Sequence, residues 1–135
     1  MADLTVTAGS VVSTGTQGVG TAGGTITAGQ VVRLNTSNEV VTASDDSATN
    51  AAALGIALNG ASSGQPVSYH TAGNINPGAT VAVGKVYVVS TSGGIAPIDD
   101  VAGGEYITYL GVGTTTSNLS VQIHVSGVAA AGAVA

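Results

Sequence analysis

Two stretches of the chain, Thr25 to Gly73 and Thr80 to Gly127, run through the same words in the same order. They open as Thr25-Ile26-Thr27-Ala28-Gly29-Gln30-Val31-Val32 and Thr80-Val81-Ala82-Val83-Gly84-Lys85-Val86-Tyr87. Asn35-Thr36-Ser37-Asn38 and Ser90-Thr91-Ser92-Gly93 follow, then the acidic pairs Asp45-Asp46 and Asp99-Asp100. Leu54-Gly55-Ile56-Ala57 answers Leu110-Gly111-Val112-Gly113, and Val67-Ser68-Tyr69-His70 answers Val121-Gln122-Ile123-His124. Partners stay 54 to 56 residues apart. Two copies are too few for a solenoid. The constraint is therefore one fold with internal pseudo-symmetry, in which each copy tests the reading of the other.

Each copy reads as strands and turns. Val31 to Leu34 and Glu39 to Thr42 flank a polar turn whose Asn residues tolerate left-handed backbone, so they form a hairpin. Ala51 to Leu58 is Ala-rich like a helix, but its counterpart Tyr106-Ile107-Thr108-Tyr109-Leu110 is strand-like, and both are read as strands. Pro66 to Thr71, Lys85 to Ser90 and Ile95 to Ile98 follow the same logic. Leu119, Val121, Ile123 and Val125 alternate inward on a last strand. About ten short strands without a long helix predict an all-β fold, a single antiparallel barrel or sandwich built on residues 25–127.

The ends lie outside the repeat. Residues 1–24 read as an extended N-terminal arm: Leu4 and Val6 alternate with Thr5 and Thr7 at strand period, and the five glycines from Gly15 to Gly24 read as a flexible linker. Such an arm adds to another sheet, forms an edge strand of its own domain, or stays disordered. Residues 128–135 form a small-residue tail.

Composition narrows the function. Charged residues make up 7% of the 135 residues, against roughly 25% in globular proteins. The net charge is −5, with Arg33 and Lys85 the two cations, which argues against nucleic acid and anionic membrane as partners. No cysteine is present for disulfides or thiol chemistry. Met1-Ala2-Asp3 opens neither a basic region nor an apolar block, so no secretory leader is expected. No stretch is continuously apolar enough for a spanning helix. A mean hydropathy of +0.44 with so little charge suits faces buried against other subunits.

Candidate chemistry is sparse, and no enzyme, cofactor or metal is expected. His70 and His124 sit at matching places in the copies. They read as structural imidazoles bonded to backbone carbonyls, with a shared metal or a titrating pair as the alternative. The acidic pairs offer two carboxylates per loop, short of the six to eight oxygens a calcium ion needs. Gly18-Val19-Gly20 and Gly111-Val112-Gly113 do not continue into a phosphate-binding pattern. Asn118-Leu119-Ser120 matches a glycosylation sequon without a leader to support its use. The Thr content raises ice or sugar binding, but without a short fixed period.

The run Gly29-Gln30-Val31-Val32-Arg33-Leu34-Asn35-Thr36-Ser37, then Val40-Val41, Ala52-Ala53-Leu54-Gly55-Ile56-Ala57, Gly64-Gln65-Pro66-Val67 and Gly73 resembles the core of the lambda-type head decoration (capsid cement) proteins of tailed bacteriophages. The second copy and the scarcity of aromatics depart from that pattern. The resemblance implies a β-tulip-like structural protein and no catalysis. It implies a homotrimer on the outer surface of the virion head, bound to the major capsid protein across capsomer joints. It also implies an arm that adds a strand to the capsid, here Asp3, Leu4, Thr5, Val6, Val11 and Val12. The alternative from the residues is a tail, spike or adhesin module binding host glycan, which needs Tyr69, Tyr106 and Tyr109 clustered in the open.

Overall fold

A computed structural model describes residues 3–131. The chain is all-β, an antiparallel sheet curled into a half-barrel. Its strands are β1 (Val11–Ser13), β2 (Thr16–Thr21), β3 (Val31–Leu34), β4 (Val40–Thr42), β5 (Gly55–Ala57), β6 (Pro66–Pro77), β7 (Val86–Val89), β8 (Ile95–Pro97), β9 (Tyr106–Gly113) and β10 (Leu119–Ala129). The main path runs β4-β3-β5-β6-β10-β9-β7-β8. That order is a palindrome of the duplication: β3, β4, β5 and β6 answer β7, β8, β9 and β10, and the copies meet where β6 pairs with β10.

Local chemistry explains the matching elements. The β3–β4 hairpin closes through Asn35, whose Oδ1 accepts from the N–H of Ser37 and Glu39 at 2.9 Å each, while Asn38 takes the left-handed backbone (φ 59°). Ser92 (φ 53°) does the same between β7 and β8. Asn and Ser adopt this geometry at low cost because short polar side chains bond locally. The repeated glycine of Leu-Gly-Ile and Leu-Gly-Val also has a steric reason. A Cβ on Gly55 would lie 2.3 Å from the His70 carbonyl oxygen, and one on Gly111 would lie 2.0 Å from that of Ser120.

Paired residues share a face of a sheet, and the two copies stack with unlike faces together. Val31 and Ile56, paired across β3 and β5, bury one face of the first copy. They meet Tyr87, Val89, Ile95, Leu110, Leu119 and Val121 of the second copy in one core with Ile75 and Val81. Full burial of each such aliphatic side chain stabilises by about 1.5–3 kcal/mol. The opposite face of the first copy has its own smaller core of Ala22, Ile26, Val32, Val40, Ala57, Ala61 and Val67.

Several expectations need correction. Gly15 to Gly24 is not a linker, because β2 occupies most of it and pairs with β6 from Thr21↔Pro66 to Thr16↔Ala72. β1 continues the same ladder from Ser13↔Ile75 to Val11↔Pro77. The other edge of β6 is shared by β5 (Tyr69, His70) and β10 (Ala72 to Ile75). Past β2, Ala22 bridges Val40 and Gly23 donates to the Val40 carbonyl, so the first copy curls back on itself through the arm. The glycines here make room: a Cβ on Gly20 would lie 2.7 Å from Val40 Cγ2. The Ala51 to Leu58 strand shrinks to Gly55–Ala57, since residues before it form a turn with Ala51 N–H bonded to the Ser47 carbonyl. Val125 does not point inward: the β10 register shifts between Val121 and His124, and Val125 is 46% exposed. The predicted tail begins inside β10; its residues 132–135, like Met1 and Ala2 of the arm, lie outside the described residues.

Candidate functional site

The row Val31–Ile56–His70 crosses β3, β5 and β6 on one face, and all three residues are fully buried. Its counterpart in the second copy is the row Val86–Val112–Ser120 on β7, β9 and β10. There the same face is open. Val112 and Tyr109 are each 38% exposed, and Val86 is half-buried. With Gly111, Ser120, Gln122 and His124 they line a groove of about 280 Å³. Duplication produced two such faces, and only the first is covered among the described residues.

The uncovered region continues along β10. Its pairing with β6 ends at Gln122↔Ala72, while β9 follows it to Ala129. Residues 123–129 are exposed or half-buried and include no Asp, Glu, Lys or Arg, with Val125 and Val128 (64%) outward. Val83, before β7, is also 64% exposed. Sheet edges in freely diffusing monomers are usually blunted by Lys, Pro or cover. Here there is neither Lys nor Pro, although bulges in β10 bend the edge.

The histidines separate. His70 has no exposed surface. The Gly73 carbonyl can only accept, so Nε2–H donates to it at 2.8 Å, and Nδ1 accepts from the Ser13 hydroxyl at 2.7 Å. This is the structural imidazole expected for both. Burial holds His70 below the usual histidine range, opposed by its bond to Gly73. His124 instead lies exposed on the open face opposite Tyr109. The two are not equivalent in register, since His70 pairs with Ile56 whereas the counterpart of Ile56, Val112, pairs with Ser120.

The acidic pairs also go separate ways. Lys85 Nζ donates to Asp99 at 2.8 Å, and this bond holds the Asp99 carboxyl below its usual range. Asp46 accepts from Asn50 Nδ2, while Asp45 is buried against the second copy. Among the described residues no group of three or more metal-ligating side chains converges, and no helix is long and apolar enough to cross a membrane.

The arm residues singled out in the sequence are engaged by their own chain. Asp3 accepts from the Ser90 hydroxyl, and Leu4 packs on the main core with its N–H on the Ile95 carbonyl. Thr5 is exposed, and Val6 is half-buried beside Gly29. Val11 and Val12 pair with Pro77 and Asn76, leaving the Val12 side chain 56% exposed. Of the open-face residues, Tyr109 and His124 stood out in the sequence only for other roles, and Val112 and Gln122 not at all, because the matching positions in the two copies are similar in sequence and differ in what covers them. Tyr69, Tyr106 and Tyr109 do not cluster: Tyr69 packs on the smaller core, Tyr106 is half-buried opposite Ala129 at the start of β9, and Tyr109 is on the open face. Neither a protein-family model nor a curated protein matches the chain.

Proposed function

We propose that the protein is a structural virion component, a capsid decoration protein that binds the outer surface of a phage head as a homotrimer and stabilises the joints between capsomers. The observation that carries the reading is the uncovered face of the second copy, a largely apolar surface without Asp, Glu, Lys or Arg that is continuous with the open edge of β10. Its counterpart is buried by packing against the strands of the second copy, so the face has the chemistry of a sheet face that accepts further strands. Strand addition to the β10 edge supplies backbone hydrogen bonds, and the valines beside it supply apolar contact. The major capsid protein is the partner in this reading. Binding through Asp3 to Val12 would require the arm to leave β6 and the core, so the proposed docking surface moves from the arm to β9 and β10. The mechanism is mechanical: rupture of the shell must break the added contacts as well.

Co-sedimentation with expanded phage heads tests this. The wild-type chain pellets with the heads, and V112K with Y109K leaves it in the supernatant while its circular dichroism is unchanged. Failure of the wild type to pellet overturns the reading.

One observation favours the glycan alternative. Tyr109 stands beside Ser120, Gln122 and His124 in a shallow groove, an aromatic platform with hydrogen-bonding groups around it. Glycan-array binding that Y109A abolishes would replace the decoration reading.

A further inference from the structure

The arm meets β6 at a break. β1 and β2 pair with β6 on either side of Thr14 and Gly15, and the register slips between Thr16 and Gln17. Two glycines let the backbones cross there. A Cβ on Gly73 (φ 90°) would lie 3.1 Å from Gly15 Cα, and one on Gly15 would lie 2.7 Å from His70 Cε1. The His70 ring fills the space beneath this crossing and has no exposed surface. It is held from both sides: Nε2–H donates to the Gly73 carbonyl, and Nδ1 accepts from the hydroxyl of Ser13 on β1. The Ser13 oxygen in turn accepts from the Gly15 N–H at 3.3 Å. This pattern fits a neutral ring, with one nitrogen donating and the other accepting.

We propose that His70 is a proton-released catch for the arm: protonating the ring at Nδ1 lifts the stretch from Val11 to Gly15 off β6 and bares the β6 edge from Asn74 to Pro77 for strand pairing. A proton on Nδ1 turns an acceptor into a donor. Ser13 must then accept, and its hydroxyl hydrogen loses the nitrogen it was bonded to. The larger cost is the charge, which is sealed from water. Nothing around the ring offsets it. β1 presents Ser13 and the link to β2 presents Gly15, while Gln17 on β2 and Ile56 on β5 pair with His70. Tyr69, the titratable neighbour in the chain, packs on the smaller core. Burial accordingly leads the depression of His70, and only the Gly73 bond opposes it. Gly15 covers the ring edge and is itself half-buried, so the arm is a single layer between an imidazolium and water. Beyond the break β2 keeps its pairs from Gln17 to Thr21, and Ala22 keeps its bridge to Val40, so the opening stops there. The neutral ring holds the arm above pH 6.5, and the hold weakens as pH falls below that value towards the folded one.

Amide hydrogen exchange of the full chain between pH 4.5 and 8, corrected for intrinsic exchange, tests the catch. The Thr14 N–H, bonded to the Asn74 carbonyl, reports the opening. Its protection should fall by up to about tenfold per pH unit below 6.5, the slope for one proton. It should also stay below that of the β9 amides throughout, because the arm opens without the rest. H70Q, which has no ring to protonate, should make Thr14 protection independent of pH. Flat wild-type protection, a slope retained in H70Q, or Thr14 protection equal to that of β9 overturns the proposal. Proton NMR of the wild type decides the matter where H70Q does not fold. The His70 ring resonances and the Thr14 amide should then move with one midpoint, and a ring that titrates while Thr14 stays still overturns the proposal equally.

Discussion

At the scale of single residues, identical letters carry different jobs. His70 is buried with both ring nitrogens bonded, whereas His124 lies on an open face. Truncating His70 leaves a cavity and strands Ser13 and the Gly73 carbonyl, at a cost of about 2–4 kcal/mol. H124A should stay within about 0.5 kcal/mol of wild type. Urea midpoints separate the two. The pH dependence has a definite sign. His70 is depressed below 6.5, so its contribution is whole above that pH and is lost as pH falls towards its folded value. Asp45 works in the opposite sense: raised to about 6 from 3.8, its contribution is whole below 3.8 and is lost as pH rises through 6. The wild type therefore balances two slopes, and H70Q should leave the Asp45 slope alone, with stability at pH 5 exceeding that at pH 7. Gly111 is a further residue-scale case. G111A places a methyl group 2.0 Å from the Ser120 carbonyl, so β9 and β10 must part there, and a loss of more than about 2 kcal/mol is expected from the melting curve.

At the scale of elements, the arm gives the sharpest lesson. The strand period of its first residues was readable, and so was the choice between adding to another sheet and edging its own. Its glycines misled, because glycine serves flexibility and close approach alike. Gly18 and Gly20 are there so that β2 can pass Tyr69 and Val40. Nothing local distinguishes the two uses; the decisive contacts are some 20 to 50 residues away in sequence. The doubled strands were legible because each copy confirmed the other. Coverage of the faces was not, because burial is a property of the stack and Val31 and Val86 read alike. Since β1 and β2 supply a full ladder to β6 and Ala22 closes the first copy onto Val40, removing residues 1–21 should cost the cooperative unfolding transition. A merely appended arm would leave the melting temperature within a degree or two, and circular dichroism decides between these outcomes.

At the scale of the molecule, the duplication is complete in topology and incomplete in burial. Stacking unlike faces leaves two outer faces, and the single arm covers one of them with Ala22 while β9 and β10 keep the other open. Of the eight large apolar residues most exposed among those described, Val83, Tyr109, Val112 and Val125 belong to the second copy, and Val128 follows it at the end of β10. An interaction through that surface should depend on apolar area rather than on charge. Ion pairs weaken with salt over a screening length of about 10 Å at 0.1 M and 3 Å at 1 M, whereas apolar burial does not. Binding to expanded heads should therefore survive 1 M NaCl. Substituting Val112 by Lys should weaken it more than tenfold, since burying one valine is worth about 1.5 kcal/mol and tenfold corresponds to about 1.4 kcal/mol. Val12 provides the internal control, because it is also exposed but sits on the arm side of β6. V12K should bind as wild type, and a loss equal to that of V112K would move the docking surface back to the arm.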